Sequence, residues 1–215
     1  MKKLILVSGK LKAGKNRFTD YLKEILEARG DKVSCDLFAR GVKDGSREDF
    51  KEIYEYINSV IEDAVKDLQH LPEPPMALDK TISNLEALIT TPENFYEDKT
   101  DLTRKILQNY GTNIFRKRID SDWWVKDTVS RLQKIDSDFI ILTDVRFPNE
   151  IEFVARFFNV TAIRINREMN REKDFNEHES EKALDNYKGF DVTISNNSDL
   201  ESLRKKAELV ANKYV

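Results

Sequence analysis

Gly9-Lys10-Leu11-Lys12-Ala13-Gly14-Lys15-Asn16 follows the spacing G-x-x-x-x-G-K-[ST] through its lysine and departs from it at the last position. The chemistry this spacing serves is anion binding. Gly9 and Gly14 let the backbone curl so that successive N–H groups point inward, and a helix starting at Lys15 adds its N-terminal dipole to that nest. Lys15 would reach the terminal phosphates of a nucleotide such as ATP, with Lys10, Lys12, Ala13 and Arg17 completing the cradle. Asn16 stands where a hydroxyl usually meets Mg²⁺. Its amide oxygen offers the ion, or one of its waters, a weaker contact than an anion would. The alternative is a β–α turn closed by two glycines, with Lys10 and Lys12 as solvated surface lysines.

A second group follows an apolar run. Phe139-Ile140-Ile141-Leu142-Thr143-Asp144 is a strand ending in a carboxylate, and Val145-Arg146-Phe147-Pro148-Asn149-Glu150 brings an arginine and a helix start at once. Beside a phosphate loop, Asp144 would hold Mg²⁺ through a water. His178 is one of only two histidines and invites a general-base reading. Transfer to a phosphate acceptor needs no base, because the attacking oxygen is already anionic, so a structural or orienting role is expected. Glu179 and Glu181 would hold arginines or be solvated, His70 reads as a surface residue, and Trp123 and Trp124 as packing residues.

These groups need elements to position them. Strands are expected at Lys3–Ser8, Lys32–Leu37, Phe139–Asp144, Val160–Ile165 and Phe190–Ser195. Helical spacing runs over Arg17–Arg29, with Gly30 as its stop, over Ser46–Leu68, from Leu102 to Phe115 and from Trp123 to Leu132. Ser198 and Glu201 form a capping box for a last helix through Tyr214. Pro72, Pro74 and Pro75 open a stretch with little periodicity up to Asp98, the candidate for a cap or flexible edge. Strands alternating with helices imply a mostly parallel sheet covered on both faces, with ligands at the carboxyl ends of its strands.

Composition narrows the partners. With 36 Lys and Arg against 39 Asp and Glu, the net charge of -3 lacks the basic excess that favours nucleic-acid polymers, so small phosphorylated ligands fit better. The apolar run Leu4–Val7 is far shorter than the roughly 20 residues of a membrane span, so a cytoplasmic protein with no membrane partner is expected. Cys35 stands alone, which rules out an intrachain disulfide, and reads as a buried strand residue.

Taken in order, Ser8–Lys15, Asp144–Glu150 and His178-Glu179-Ser180-Glu181-Lys182-Ala183-Leu184-Asp185 resemble the bacteriophage deoxynucleoside monophosphate kinases, and less closely the animal-type phosphomevalonate kinases. Leu107–Thr112 and Trp123-Trp124-Val125 are similar to the phage enzymes too, whereas Asp44 to Asp98 carries no matching motif. The chain departs from the family at Asn16, where an acidic residue is common. The resemblance implies an α/β fold: a single three-layer α/β/α P-loop kinase domain over residues 1–215, with a five-stranded, mostly parallel sheet. An acceptor-binding insert would span about 38–135 and a lid about 166–188. It also implies ATP and Mg²⁺ as cofactors and a nucleoside monophosphate as acceptor; homodimer formation is left open. Phe38–Lys43 is similar to the segment leading into the acceptor helix, which makes Lys43 an acceptor contact, and Arg146 would serve both acceptor and transfer. Arg104 and Gln108, one helical turn apart, would meet an acceptor phosphate and base edge, or form a solvated helix face. Arg164, Arg167 and Arg171 fall where the lid begins, and an arginine fork suits phosphoryl oxygens in a loose transition state. A small-metabolite kinase such as phosphomevalonate kinase is the runner-up, and a nucleotide-binding switch without a second substrate is the alternative outside enzymes.

Overall fold

The computed structural model describes residues 2–70, 83, 101–168 and 178–215. Five strands form one sheet in the order β2-β3-β1-β4-β5, every neighbouring pair parallel: β1 Lys3–Gly9, β2 Val33–Asp36, β3 Phe139–Val145, β4 Asn159–Asn166 and β5 Val192–Ser195. β1 is central because it can be buried on both faces. Leu4, Ile5, Leu6 and Val7 are each at most 1% exposed. Their alternation sorts them into two cores. Ile5 and Val7 join Ile141, Ile163 and Ile165 beneath α1 (Lys15–Ala28) and the C-terminal helix Leu200–Lys213, through Phe18, Leu22, Leu203 and Ala207. Leu4 and Leu6 join Ile140 and Leu142 beneath the helices Trp123–Lys134 and Pro148–Val154, through Val125, Val129, Leu132 and Ile151. The result is the expected α/β/α sandwich.

Local chemistry sets the ends of these elements. After α1 the chain turns in a left-handed Gly30 (φ 92°), with Gly30 N–H on Glu27 O (2.9 Å) and Asp31 N–H on Leu26 O (3.2 Å). That pair of bonds uses two carbonyls the helix end leaves open. The last helix is capped by Asp199, whose carboxylate accepts from Ser202 N–H at 2.8 Å, and not by Ser198 as expected. Asp is as good an N-cap as Ser and here stands one residue closer to the helix.

α2 runs from Ala39 to Gln69 and so starts well before the expected Ser46. The reason is remote in sequence: both oxygens of Asp144 accept the N–H groups of Phe38 (2.9 Å) and Ala39 (2.8 Å), placing an anion on the helix N-terminus. α3 (Asp101–Gln108) leads into a π-helix, Asn109–Ile119, where the sequence predicts an ordinary helix. α4 is Trp123–Lys134, α5 Pro148–Val154, α6 Glu179–Lys182 and α7 Leu200–Lys213. Cys35, expected buried, is exposed, because β2 is the edge strand. Trp124 is packed as expected, with its indole N–H on Gly111 O at 3.0 Å, while Trp123 is 44% exposed.

Two compact units divide the chain: residues 1–41 with 111–215, and residues 42–110. The sheet belongs to the first. In the second, Tyr110 donates to Asp49 and Ser46 to Lys43 O. Among the described residues no helix is long and apolar enough to cross a membrane.

Candidate active site

The glycine-rich loop leaves the carboxyl end of β1 and closes onto α1. Gly9 has no room for a side chain, since a Cβ would lie 2.6 Å from Ile165 O. Gly14 adopts φ 97°, and a Cβ there would meet Asn196 Nδ2 at 2.3 Å. Lys12 also takes a left-handed conformation, φ 62°, between Ala13 N–H on Lys10 O (3.1 Å) and the first α1 bond, Phe18 N–H on Gly14 O (3.0 Å). Asn196 fixes the loop from outside. Its side-chain amide donates to Ala13 O at 2.9 Å and its backbone N–H to Asn166 O at 2.7 Å, tying the loop after β5 to the phosphate loop and to the end of β4.

Lys15 curls over this turn and donates to Gly9 O (2.7 Å) and Lys10 O (2.9 Å). Burial, and then the Arg146 guanidinium, push its ammonium down to about 8, while Glu181 and Asp144 pull it up and Arg164 adds to the fall. The ammonium is therefore poised for an anion. Lys10 pairs with Asp185 at 2.9 Å. Leu11, Lys12, Asn16 and Arg17 are exposed, Arg17 lying over the Tyr21 ring.

Two more arginines come to the same strand ends. Arg164, on β4, is buried; it donates to Ser8 Oγ at 2.9 Å and to Asp185 Oδ1 at 3.1 Å, and Ser8 Oγ in turn donates to Val145 O at 3.1 Å. Arg146, just past β3, meets Glu181 on α6 at 2.5 Å. Glu181 is thus the anchor of the strand-tip arginine, while Glu179 pairs with Lys117 at 2.8 Å. His178 caps α6, its Nδ1 accepting Ser180 N–H at 3.2 Å, and burial holds its ring below the usual histidine range. Burial likewise pushes the Asp144 carboxyl up, against the pull of Ala39 and Phe38 N–H and of Arg146.

Behind Arg146 lies a buried ion pair that sequence reasoning missed. Glu150 Oε2 accepts Arg146 N–H (2.6 Å) and Phe147 N–H (3.1 Å), and its other oxygen accepts from the Arg116 guanidinium. Arg116 also donates to Asn149 Oδ1 and Ser121 O, each at 3.1 Å, and stacks on the Phe147 ring at 4.2 Å. Glu150 stood in the sequence only as the end of the Asp144–Glu150 stretch, with no role of its own, and nothing local marks Arg116.

A cleft of about 810 Å³ opens beside Lys10 and runs along the ends of β4 and β5, past Arg164, Arg167, Tyr187, Phe190, Ser195 and Asn197. Arg167 is exposed at its edge, and Arg171 falls outside the described residues. Lys43, Arg104 and Gln108 belong to the 42–110 unit, each half-buried, with Arg104 and Gln108 on α3. The structure therefore gathers Gly9, Lys10, Ala13, Gly14, Lys15 and Arg146 of the expected site, together with Arg164, Glu181, Asp185 and Asn196.

No group of three or more His, Cys, Asp or Glu that could hold a metal ion is present among the described residues. No curated protein sequence matches the chain. A family model described as deoxynucleotide monophosphate kinase matches residues 46–207.

Proposed function

Since the chain belongs to the deoxynucleotide monophosphate kinase family, we propose that it transfers the γ-phosphate of ATP to a deoxynucleoside monophosphate, giving the diphosphate and ADP. The observation that carries the reading is the half-buried Lys15 curled over a left-handed glycine loop, its ammonium on Gly9 O and Lys10 O, at the carboxyl ends of three adjacent parallel strands. Such a loop binds phosphates through backbone N–H groups.

An oxygen of the acceptor phosphate attacks the γ-phosphorus in line, forming the new P–O bond as the bond to the β–γ bridging oxygen breaks. ADP leaves with that electron pair. Lys15 and the loop amides hold the β- and γ-phosphates, and Lys10 and Arg164 line the start of the cleft that continues along β4 and β5. Arg146 sits at the tip of β3 to draw charge from the equatorial oxygens as they loosen. The resemblance would make Arg167 and Arg171 lid arginines, and Lys43, Arg104 and Gln108 of the 42–110 unit the residues that contact the acceptor. His178 is spent as a helix cap and moves no proton, in keeping with an acceptor that is already anionic.

The donor set fits a cation held mainly by phosphate oxygens and waters. Asn16 is exposed in the first turn of α1, and Asp144 retains lone pairs beyond the two given to backbone N–H groups. These two residues would hold Mg²⁺, which supplies charge neutralisation at the transferring phosphoryl group when bound.

The test is coupled ADP release with dAMP, dCMP, dGMP, dTMP, hydroxymethylated dCMP, the ribonucleotides and phosphomevalonate as acceptors. One or more deoxynucleotides should stimulate ADP release and appear as diphosphates. Stimulation by phosphomevalonate alone, or by no acceptor with ATP binding retained, overturns the reading.

A further inference from the structure

We infer that Arg116 and Glu150 act together as a positioning pair for Arg146: the Glu150 carboxylate fixes the backbone turn that carries Arg146, and Arg116 fixes the carboxylate. The inference rests on the phosphotransferase reading of Arg146 and goes beyond it, since neither partner touches a substrate.

A glutamate at the third position of a helix ordinarily closes a capping box from the surface, with no ion partner required. Glu150 does close that box on Phe147 N–H, but it is 3% exposed and also holds the N–H of Arg146 itself. The cation facing it comes from the π-helix, 34 residues earlier in the chain, and its side chain is 9% exposed. Every contact of the Arg116 guanidinium serves the turn and its setting. It lies on the Phe147 ring and bonds Asn149, Glu150 and the Ser121 carbonyl, and Asn149 in turn bonds Ser121 O (3.0 Å) and Asp122 (2.7 Å). Buried ion pairs of this kind are weak contributors to stability, because desolvation consumes most of the attraction. What the pair does supply is geometry. With its N–H and those of its neighbour fixed, Arg146 keeps only side-chain freedom, and its guanidinium is delivered to Glu181 beside Lys15. Misplacement of such a group by an ångström is costly to a positioned reaction.

The charged groups facing Glu150 are Arg116 from the π-helix, Asp144 from β3 and, through Asn149, Asp122 ahead of α4. Burial is the largest influence, and the carboxyl is pushed up to about 7. Its loss of a proton therefore falls in the range where activity is measured.

The experiment is a rate cycle on the full chain with the best deoxynucleotide acceptor: Glu150→Gln, Arg116→Lys, Arg116→Met, Arg116→Met/Glu150→Gln and Arg146→Ala, alone and combined with Glu150→Gln. Thermal unfolding is read on each. Glu150→Gln is expected to lower kcat about tenfold or more with the KM for ATP changed less than about twofold, and to remove an acid limb of kcat near pH 7. Arg116→Lys should keep more of the rate than Arg116→Met. The double charge-removing variant, which leaves no unpaired buried charge, should fold and be no slower than the single variants. In the Arg146→Ala background, Glu150→Gln should cost nothing further in kcat. A multiplicative loss in that background, a rate loss that merely follows the folded fraction, or an unchanged kcat in Glu150→Gln overturns the inference. Amide hydrogen exchange at Arg146 and Phe147 needs no acceptor, so it separates the two failures. Exchange should quicken about tenfold or more in Glu150→Gln, and unchanged exchange refutes the clamp even where the acceptor panel gives no product.

Discussion

The depressed Lys15 ammonium gives a pH profile whose steep limb can be moved in both directions. Its ordinary value of 10.5 falls to about 8, chiefly through burial and next through Arg146, with Glu181 opposing. Phosphate binding needs the charged form, and kcat/KM for ATP reports the free enzyme. On the alkaline side that ratio should fall about tenfold per unit above about pH 8, reaching roughly a tenth of its maximum one unit higher, while any acid limb near pH 7 belongs to Glu150 and not to Lys15. Glu181→Gln removes a charge that raises Lys15, so the limb should move to lower pH. Arg146→Ala removes one that lowers it, so the limb should move up. The assay is initial rate against ATP at saturating acceptor across neutral to alkaline pH, on the wild type and both variants. A wild-type limb at 10.5, or shifts of the same sign in both variants, refutes the placement of Lys15. Stability carries the same signature. Because the folded value lies below the unfolded one, the cost of the buried charge is full below about pH 8 and disappears as pH rises to 10.5. Lys15→Met should therefore abolish transfer while raising the melting temperature at neutral pH, and the gain should vanish in strong alkali.

Lys15→Ala should lower turnover on the order of 10³-fold or more while circular dichroism stays that of the wild type; near-normal turnover rejects the loop assignment. Asp144→Asn turns an NH₂ toward Phe38 or Ala39 N–H, so unfolding free energy should drop by about 1–3 kcal/mol in a denaturant titration and the Mg²⁺ needed for half-maximal rate should rise. A stable variant with an unchanged Mg²⁺ titration counts against both uses of that carboxylate. Gly14→Ala should destabilise the fold and raise the KM for ATP, since the methyl would lie 2.3 Å from Asn196 Nδ2 at φ 97°. Adding Asn196→Ala removes the clash but not the strain, so thermal melts should show partial recovery; full additivity of the two losses contradicts the contact.

What the sequence disclosed was the local part of the fold. All five strands fall within two residues of their expected ends, and for β1 and β3 the reason is a near-continuous apolar run, which marks a strand buried on both faces without reference to its partner. The missed start of α2 had its cause in Asp144, whose carboxylate reaches the N–H groups 105 and 106 residues earlier in the chain. The π-helix escaped because Tyr110, Ile114 and Phe115 satisfy the spacing of an α-helix over a stretch of only 11 residues. Glycine spacing marked Gly9 and Gly14 since the constraint on each is a backbone one. Arg116 and Asn196 act across 34 and 183 residues, so no window of sequence holds both ends of their contacts.

The charge pattern resolves what looked like a contradiction in composition. A chain of net charge -3 has no general attraction for phosphate, yet Lys10, Lys15, Arg146 and Arg164 gather at the carboxyl ends of the central strands. Four cations so close would repel one another, and Lys15 registers that repulsion from both arginines. Carboxylates set between them keep the arrangement tolerable: Asp185 bridges Lys10 and Arg164, Glu181 takes Arg146, and Asp144 lies near enough to raise Lys15. Glu181 on α6 and Asp185 in the turn just after it both belong to the His178–Asp185 motif, so the short segment that sequence reading assigned to the lid is also the counter-charge of the phosphate loop. Binding phosphate then means exchanging partners rather than adding charge to a bare site. An acidic protein can in this way hold a strong local anion site without attracting anionic polymers to the rest of its surface.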